Sequence, residues 1–299
     1  MKHSHRPKQS HVADEIFEYR SVEKKKLKLT MAVTGIMMVA EVAGGFWTNS
    51  LALISDAGHM FTHFFALAIS FAAIIFASRE SCHHRTFGYY RVEILAALLN
   101  SLFLFVATFW ILAEGIRRII HPAPILGPQM FIIAVIGLLV NLASVFILHG
   151  TSKDDLNVKS AFLHMLGDTL SSVVIIIGAI IIYLTGWNII DPVLSIGIAA
   201  VILGWGWNLF KDSVNILLEA VPKGMNTDEI TKTLLAEVPL IQEITDMHVW
   251  AITSKMYSLT AHVKLKQEMS GKEAKEISTK IKQVVDVRFD IEHCTIEFD

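Results

Sequence analysis

The strongest constraint on this chain is a series of long apolar runs filling its middle. They fall at about 27–47, 51–77, 92–116, 128–149, 160–184 and 189–210. A bilayer core takes roughly 20 apolar residues of helix, and these runs are too long for the core helices of a small soluble domain. Charged residues make up 18% of the 299-residue chain, against about 25% in an average globular protein. Between Leu27 and Phe210 they are scarcer still, while both ends are richly charged. The expected fold is therefore an α-helical membrane protein with six transmembrane helices, over residues 27–220.

Loop charge sets the expected orientation. Lys24, Lys25, Lys26, Lys28, Arg79, Arg85, Arg91, Lys153, Lys159 and Lys211 fall on one side. Cytoplasmic loops are the Lys- and Arg-rich ones, so both termini are expected in the cytoplasm, with the chain a multi-pass protein of the cell (inner) membrane. Arg117 and Arg118 dissent, on the outer side. The polar segment 1–26 reads as a cytoplasmic tail. The apolar run that follows it is too long for a signal h-region and is expected to stay as the first span. A net charge of −2 with no basic stripe argues against a nucleic-acid partner. The two cysteines, Cys82 and Cys294, make no CxxC and no disulfide framework.

From 221 onward the pattern changes. Residues 227–238 carry Ile230, Leu234, Leu235 and Val238 at helical spacing, with Thr227 as an expected cap. Residues 244–252 and 256–265 are β-branched, aromatic and alternating, joined at Ser254-Lys255 as in a hairpin. Residues 270–285 are helical by Ala274, Ile277, Ile281, Val284 and Val285, and 289–298 alternates again. The expected domain, 221–299, is a small α+β unit of order αββαβ with its helices on one sheet face.

Ionisable side chains inside apolar spans cost roughly 2.5–3.5 kcal/mol each at the helix centre, so they face the bundle interior and serve function by default. The second run holds Asp56, His59 and His63, the fifth His164 and Asp168, and the first Glu41. His59 and His63 are four apart, as are His164 and Asp168, so each pair shares one helix face. Two such pairs on facing helices can aim four donors at one point. Three imidazoles and a carboxylate suit tetrahedral Zn²⁺, or Cd²⁺, Co²⁺, Ni²⁺ or Fe²⁺, whereas Ca²⁺ and Mg²⁺ want more oxygens. The metal is expected as cargo and as a candidate regulator, with no prosthetic group. Asp56 reads as a helix-end or supporting partner of the ligands. Glu41 reads as a buried partner or part of the ion path, and Asn100 and Asn141 as interhelical hydrogen-bond glue.

These motifs resemble the cation diffusion facilitator family. The resemblance is carried by Ser50-Leu-Ala-Leu-Ile-Ser-Asp-Ala-Gly-His59, Phe87-Gly-Tyr-Tyr-Arg-Val-Glu93, His164-Met-Leu-Gly-Asp168 and Asp246-Met-His-Val-Trp250. It runs from about residue 24 to the end, toward the bacterial zinc/cadmium/cobalt resistance transporters. It implies a homodimer that exports one cytoplasmic dication in exchange for protons by alternating access, its site between the second and fifth spans. The family's doubled His-x-x-x-Asp pattern maps onto His59, His63, His164 and Asp168. His63 departs from it, standing where the family has Asp and removing one negative charge.

The resemblance further implies a metallochaperone-like cytoplasmic domain that dimerises and can hold regulatory metal. Its candidate ligands here are His248, His262 and His293, with Asp299 or Glu297. Some relatives bind a second metal in the loop between spans two and three, but Arg85 and Tyr89 stand where their histidines would be. Cys82, His83 and His84 then read as solvated residues or as a site of their own. No catalytic triad or phosphate-binding glycine loop is seen, and a secondary active transporter is expected rather than an enzyme. The rival readings are a membrane metal sensor that does not transport, a hydrolase built on the His/Asp cluster, and a proton-coupled carrier of an organic solute.

Overall fold

The computed structural model describes residues 32–77, 87–148, 156–253, 256–267 and 270–299. Their side chains are described except at 63, 66–77, 144–148 and 156–168. The helices are α1 (Ala32–Thr48), α2 (Leu51–Ala77), α3 (Arg91–Ile120), α4 (Gly127–Leu148), α5 (Leu156–Thr185), α6 (Ile190–Leu217), α7 (Thr227–Glu237) and α8 (Gly271–Phe289). The strands are β1 (Ile241–Thr253), β2 (Met256–Leu265) and β3 (His293–Phe298). The start of the first expected span, the Ser254-Lys255 turn and Cys82-His83-His84 lie outside the described residues.

Among the described residues, α3 and α6 are each long and apolar enough to cross a membrane, and α1, α4 and α5 contribute shorter apolar stretches. Leu99, Phe103, Val106 and Phe109 of α3 point outward, largely exposed. Water would penalise such a surface; lipid does not.

The described residues form two compact units, one from within 1–68 and 103–205, the other from within 69–102 and 206–299. In the first, Ala52 and Leu53 of α2, Met130 and Ala134 of α4, and Ile175, Ala179 and Ile182 of α5 pack together, all nearly inaccessible. Polar residues join this packing. Asn141 Nδ2 of α4 donates to Ser172 Oγ of α5 at 3.2 Å, as expected of an interhelical bond. Glu41 of α1 is buried and fits because α4 has a glycine opposite: a Cβ on Gly137 would lie 2.5 Å from Glu41 Oε1.

The two arginines that dissent from the expected loop-charge pattern are explained by local pairing. Arg117 and Arg118 both bond the Glu114 carboxylate, and Arg118 also donates to the Asn49 carbonyl at 2.6 Å. They serve the α3 terminus and the α1–α2 turn, where Asn49 takes φ 58°, a left-handed conformation that asparagine tolerates.

In the second unit the sheet order is β1-β2-β3, with β1–β2 antiparallel and β2–β3 parallel. Ile230 and Leu234 of α7 and Ile277, Ile281 and Val285 of α8 pack on Val249, Leu259, Ala261 and Val263 of the sheet. The αββαβ order is as expected, with two local corrections. Asn226, not Thr227, caps α7, its side chain accepting from the Asp228 amide. The second helix runs on to Phe289 and stops where Asp290 turns left-handed, φ 57°, so the last strand starts at His293 rather than 289. The same unit ties Thr253, at the end of β1, to Glu93 of α3 at 2.8 Å, and Arg91 to Glu219 at 2.7 Å.

Candidate metal site

The first turn of α2 is anchored from another helix. A helix start leaves four N–H groups without intrahelical partners. Here Asp191, at the start of α6, accepts the Leu51 and Ala52 amides at 2.7 and 3.1 Å and the Ser50 hydroxyl at 2.6 Å. Ser50 Oγ in turn caps the Leu53 amide. Asp191, Ser50, Leu51 and Ala52 are all buried. The positive ends of two helices face this carboxylate, which offsets its desolvation.

One turn on, Asp56 accepts the Ser171 hydroxyl of α5 at 2.6 Å. That bond fixes a register. α2 and α5 run antiparallel, because Ala52 and Leu53, before Asp56, belong to the same buried cluster as Ile175 and Ala179, after Ser171. Three residues past Asp56 stands His59, and three before Ser171 stands Asp168. Seven residues along in the same senses stand His63 and His164. At about 1.5 Å per residue the members of each pair stand level. At about 100° per residue all four positions fall within about 60° of the bond's direction around their helices. The side chains of His63, His164 and Asp168 lie outside the described residues.

His59 is buried, 4% exposed. The indole of Trp205, on α6, lies against its ring at 4.9 Å between centroids, tilted 41°. An imidazole walled in this way has few rotamers left, which suits a metal ligand. Sequence reasoning passed over Trp205, Ser171 and Asp191. Asp191 carried the same signal as the other ionisable residues in apolar runs.

The cytoplasmic candidates divide. Leu259, Ala261 and Val263 are buried and His262 lies on the opposite face of β2, as the alternation predicts. His262 stands opposite Glu297 in register. Its Nδ1 lies 3.1 Å from Asp299 Oδ1, and its Nε2 is 3.8 Å from Glu297 Oε2. The hydrogen bond to Asp299 raises the His262 pKa above the ordinary imidazole value. His248 lies on β1 beside Asp246, 3.1 Å away. Asp246 has φ 48° at a break in strand register, which turns its carboxylate toward His248. His293 stands apart: the parallel register sets it opposite Ser258, four residues up the sheet from the Glu297 row. It meets the Phe87 ring edge-on at 5.9 Å instead. Cys294 is on the apolar side, where burial pushes its thiol up to about 11. Among the described residues no three His, Cys, Asp or Glu side chains converge tightly enough to hold a metal as they stand.

Long apolar helices, one of them carrying the buried Asp56 and His59, followed in the chain by a small αββαβ unit, fit a membrane protein with an extramembrane domain. Comparison with known families agrees. Residues 27–218 match the cation efflux transmembrane domain and residues 222–299 the cation efflux protein cytoplasmic domain. The chain belongs to the cation efflux, or cation diffusion facilitator, family, whose members are transporters and not enzymes. It is 44% identical over 276 residues to the metal cation efflux system protein CzcD of Cupriavidus metallidurans, covering 92% of this chain and 86% of that one. It is 38% identical over 300 residues to the zinc transporter ZitB of Escherichia coli, covering 100% and 93%. It is 36% identical over 278 residues to the cadmium, cobalt and zinc/H(+)-K(+) antiporter of Bacillus velezensis, covering 92% and 88%.

Proposed function

We propose that this membrane protein exports zinc and related divalent metal ions from the cytoplasm in exchange for protons, as a six-span homodimer with both termini inside. The transport domain is 27–220 and the regulatory and dimerising domain 221–299. Four groups bind the ion in transit: His59, His63, His164 and Asp168. The observation that supports this reading is the Asp56–Ser171 bond between α2 and α5, from which regular helix geometry would bring the four positions to matching levels. The names of the relatives, which include zinc, cadmium, cobalt and protons, support the cargo and the exchange.

The chemistry follows from the donors. A dication needs its ligands deprotonated, so metal entry from the cytoplasm releases protons. Once the site opens outward, protons from that side titrate the imidazoles, which change charge near neutral pH, and displace the ion. With one carboxylate among four donors the site carries a single negative charge, and imidazole protonation dominates the exchange. A second, regulatory site on His248, His262 and Asp299 would need those side chains to close up from the positions they hold here before taking cytoplasmic metal. Metal there must displace the proton that Asp299 stabilises on His262.

The test is metal uptake into proteoliposomes under an imposed pH gradient, with a panel of Zn²⁺, Cd²⁺, Co²⁺ and Ni²⁺. Asp168→Ala is expected to lower zinc flux by more than about a hundredfold, since partners of metal ligands alone are worth roughly 10–100-fold. His63→Asp is expected to keep flux and tighten zinc binding through the added charge. Asp168→Ala flux equal to that of the unaltered chain, or flux indifferent to the gradient, would end the proposal.

A further inference from the structure

We infer that Asp56 and Ser171 are positioning residues for transport, the pair that sets the register of the two ligand-bearing helices. The inference rests on the site proposed above. An α2–α5 slip of one residue would offset each ligand pair by about 1.5 Å and turn it by about 100°, breaking a site whose bonds tolerate about 0.2 Å. Apolar packing between Ala52, Leu53, Ile175 and Ala179 resists separation of the helices but discriminates weakly between neighbouring registers, because small and aliphatic side chains fit several. A short hydrogen bond between a carboxylate and a hydroxyl does discriminate. At 2.6 Å it is charge-assisted and directional, and Asp56 is only 3% exposed, so water cannot easily replace Ser171.

The geometry also places Asp56 outside the ligand set. It lies one turn before His59, and its Oδ1 is committed to an α5 residue on the far side of Asp168 from His164. The bond needs an acceptor at 56, not a negative charge. That separates positioning from ligation or proton carriage, either of which needs the carboxylate itself.

The experiment is a double-mutant cycle in the full chain, reconstituted in proteoliposomes, reading zinc KM and kcat, with zinc affinity of the purified protein measured by calorimetry. Asp56→Ala and Ser171→Ala are each expected to raise KM and weaken zinc binding about tenfold, the scale of one hydrogen bond to a charged group. The change in kcat should stay within about twofold. The double variant should be no worse than either single one, because both remove the same bond. Asp56→Asn, which still accepts, should restore binding to within about twofold. Ser171→Ala removes one oxygen and keeps the measurement available if Asp56→Ala fails to fold. An Asn variant as weak as the Ala variant, or additive single effects, would overturn the positioning role. Zinc binding unchanged in Ser171→Ala would do the same, while an inactive Asp168→Ala left the site itself standing.

Discussion

Replacing Asp191 by alanine should strongly destabilise the helical unit that holds it. The carboxylate accepts three hydrogen bonds, from Ser50 Oγ and the Leu51 and Ala52 amides. Leu51, Ala52 and Ser50 are 0% exposed, so their donors find no water once the acceptor is gone. A buried unsatisfied donor costs about 1–3 kcal/mol. Three of them give about 3–9 kcal/mol, reduced toward about 3–5 because removing a buried charge also removes its desolvation penalty. At roughly 2–4 °C per kcal/mol for a unit of this size, the apparent melting midpoint in detergent should fall by about 10 °C. Asp191→Asn should fall by about half as much. Its carbonyl oxygen still serves Ser50 and Ala52, but its amino group meets the Leu51 amide, donor against donor. The assay is fluorescence-detected thermal unfolding of the purified protein. An alanine midpoint within about 2 °C of the parent would refute the clamp, as would an asparagine variant less stable than the alanine one.

Other outcomes are expected in the cytoplasmic domain. The Asp299 bond raises the His262 pKa, so its stabilisation is present below the ordinary imidazole pKa and is lost as pH rises through the raised one. Asp299→Asn should therefore move the His262 titration, followed by NMR of labelled histidine in the full chain, back down toward about 6.5; no movement would break the pairing. Ser270 caps α8 in a reciprocal box with Glu273, whose carboxyl those bonds hold below its ordinary value. Ser270→Ala should lower the domain's unfolding free energy by about 1 kcal/mol in denaturant titrations, and a change under about 0.3 kcal/mol would remove the box from the account.

Much of this fold was legible because its signals are local. Apolar length marked the helices, and period-2 alternation marked β2 well enough to put His262 on the polar face. The paired donors of α2 and α5 stood out because ionisable residues are rare in apolar runs. What the chain could not display was which distant residues meet. Nothing near residue 50 announces that Asp191 will take its hydroxyl. Three residues separate Ser171 from Asp168, yet only tertiary contact makes the first a partner of Asp56. His293 shows the same limit. Its polar-face position was readable, but the parallel return of β3, which carries it away from the His262 row, depends on where α8 ends. That end is set by Asp290 turning left-handed, a choice that Gly would have advertised and Asp does not.

The contacts along α2 constrain how its site can open. Its first turn is held to α6 by three bonds to one buried carboxylate. Two turns further in, His59 rests on Trp205 of the same α6. A relative slide of α2 and α6 would have to strand several buried donors and uncover the imidazole at once, which makes it costly. α2 and the part of α6 from Asp191 to Trp205 are therefore expected to travel as one piece. On the transport reading proposed above, exposure of the ion to the two sides would come from motion of that piece against its other neighbours.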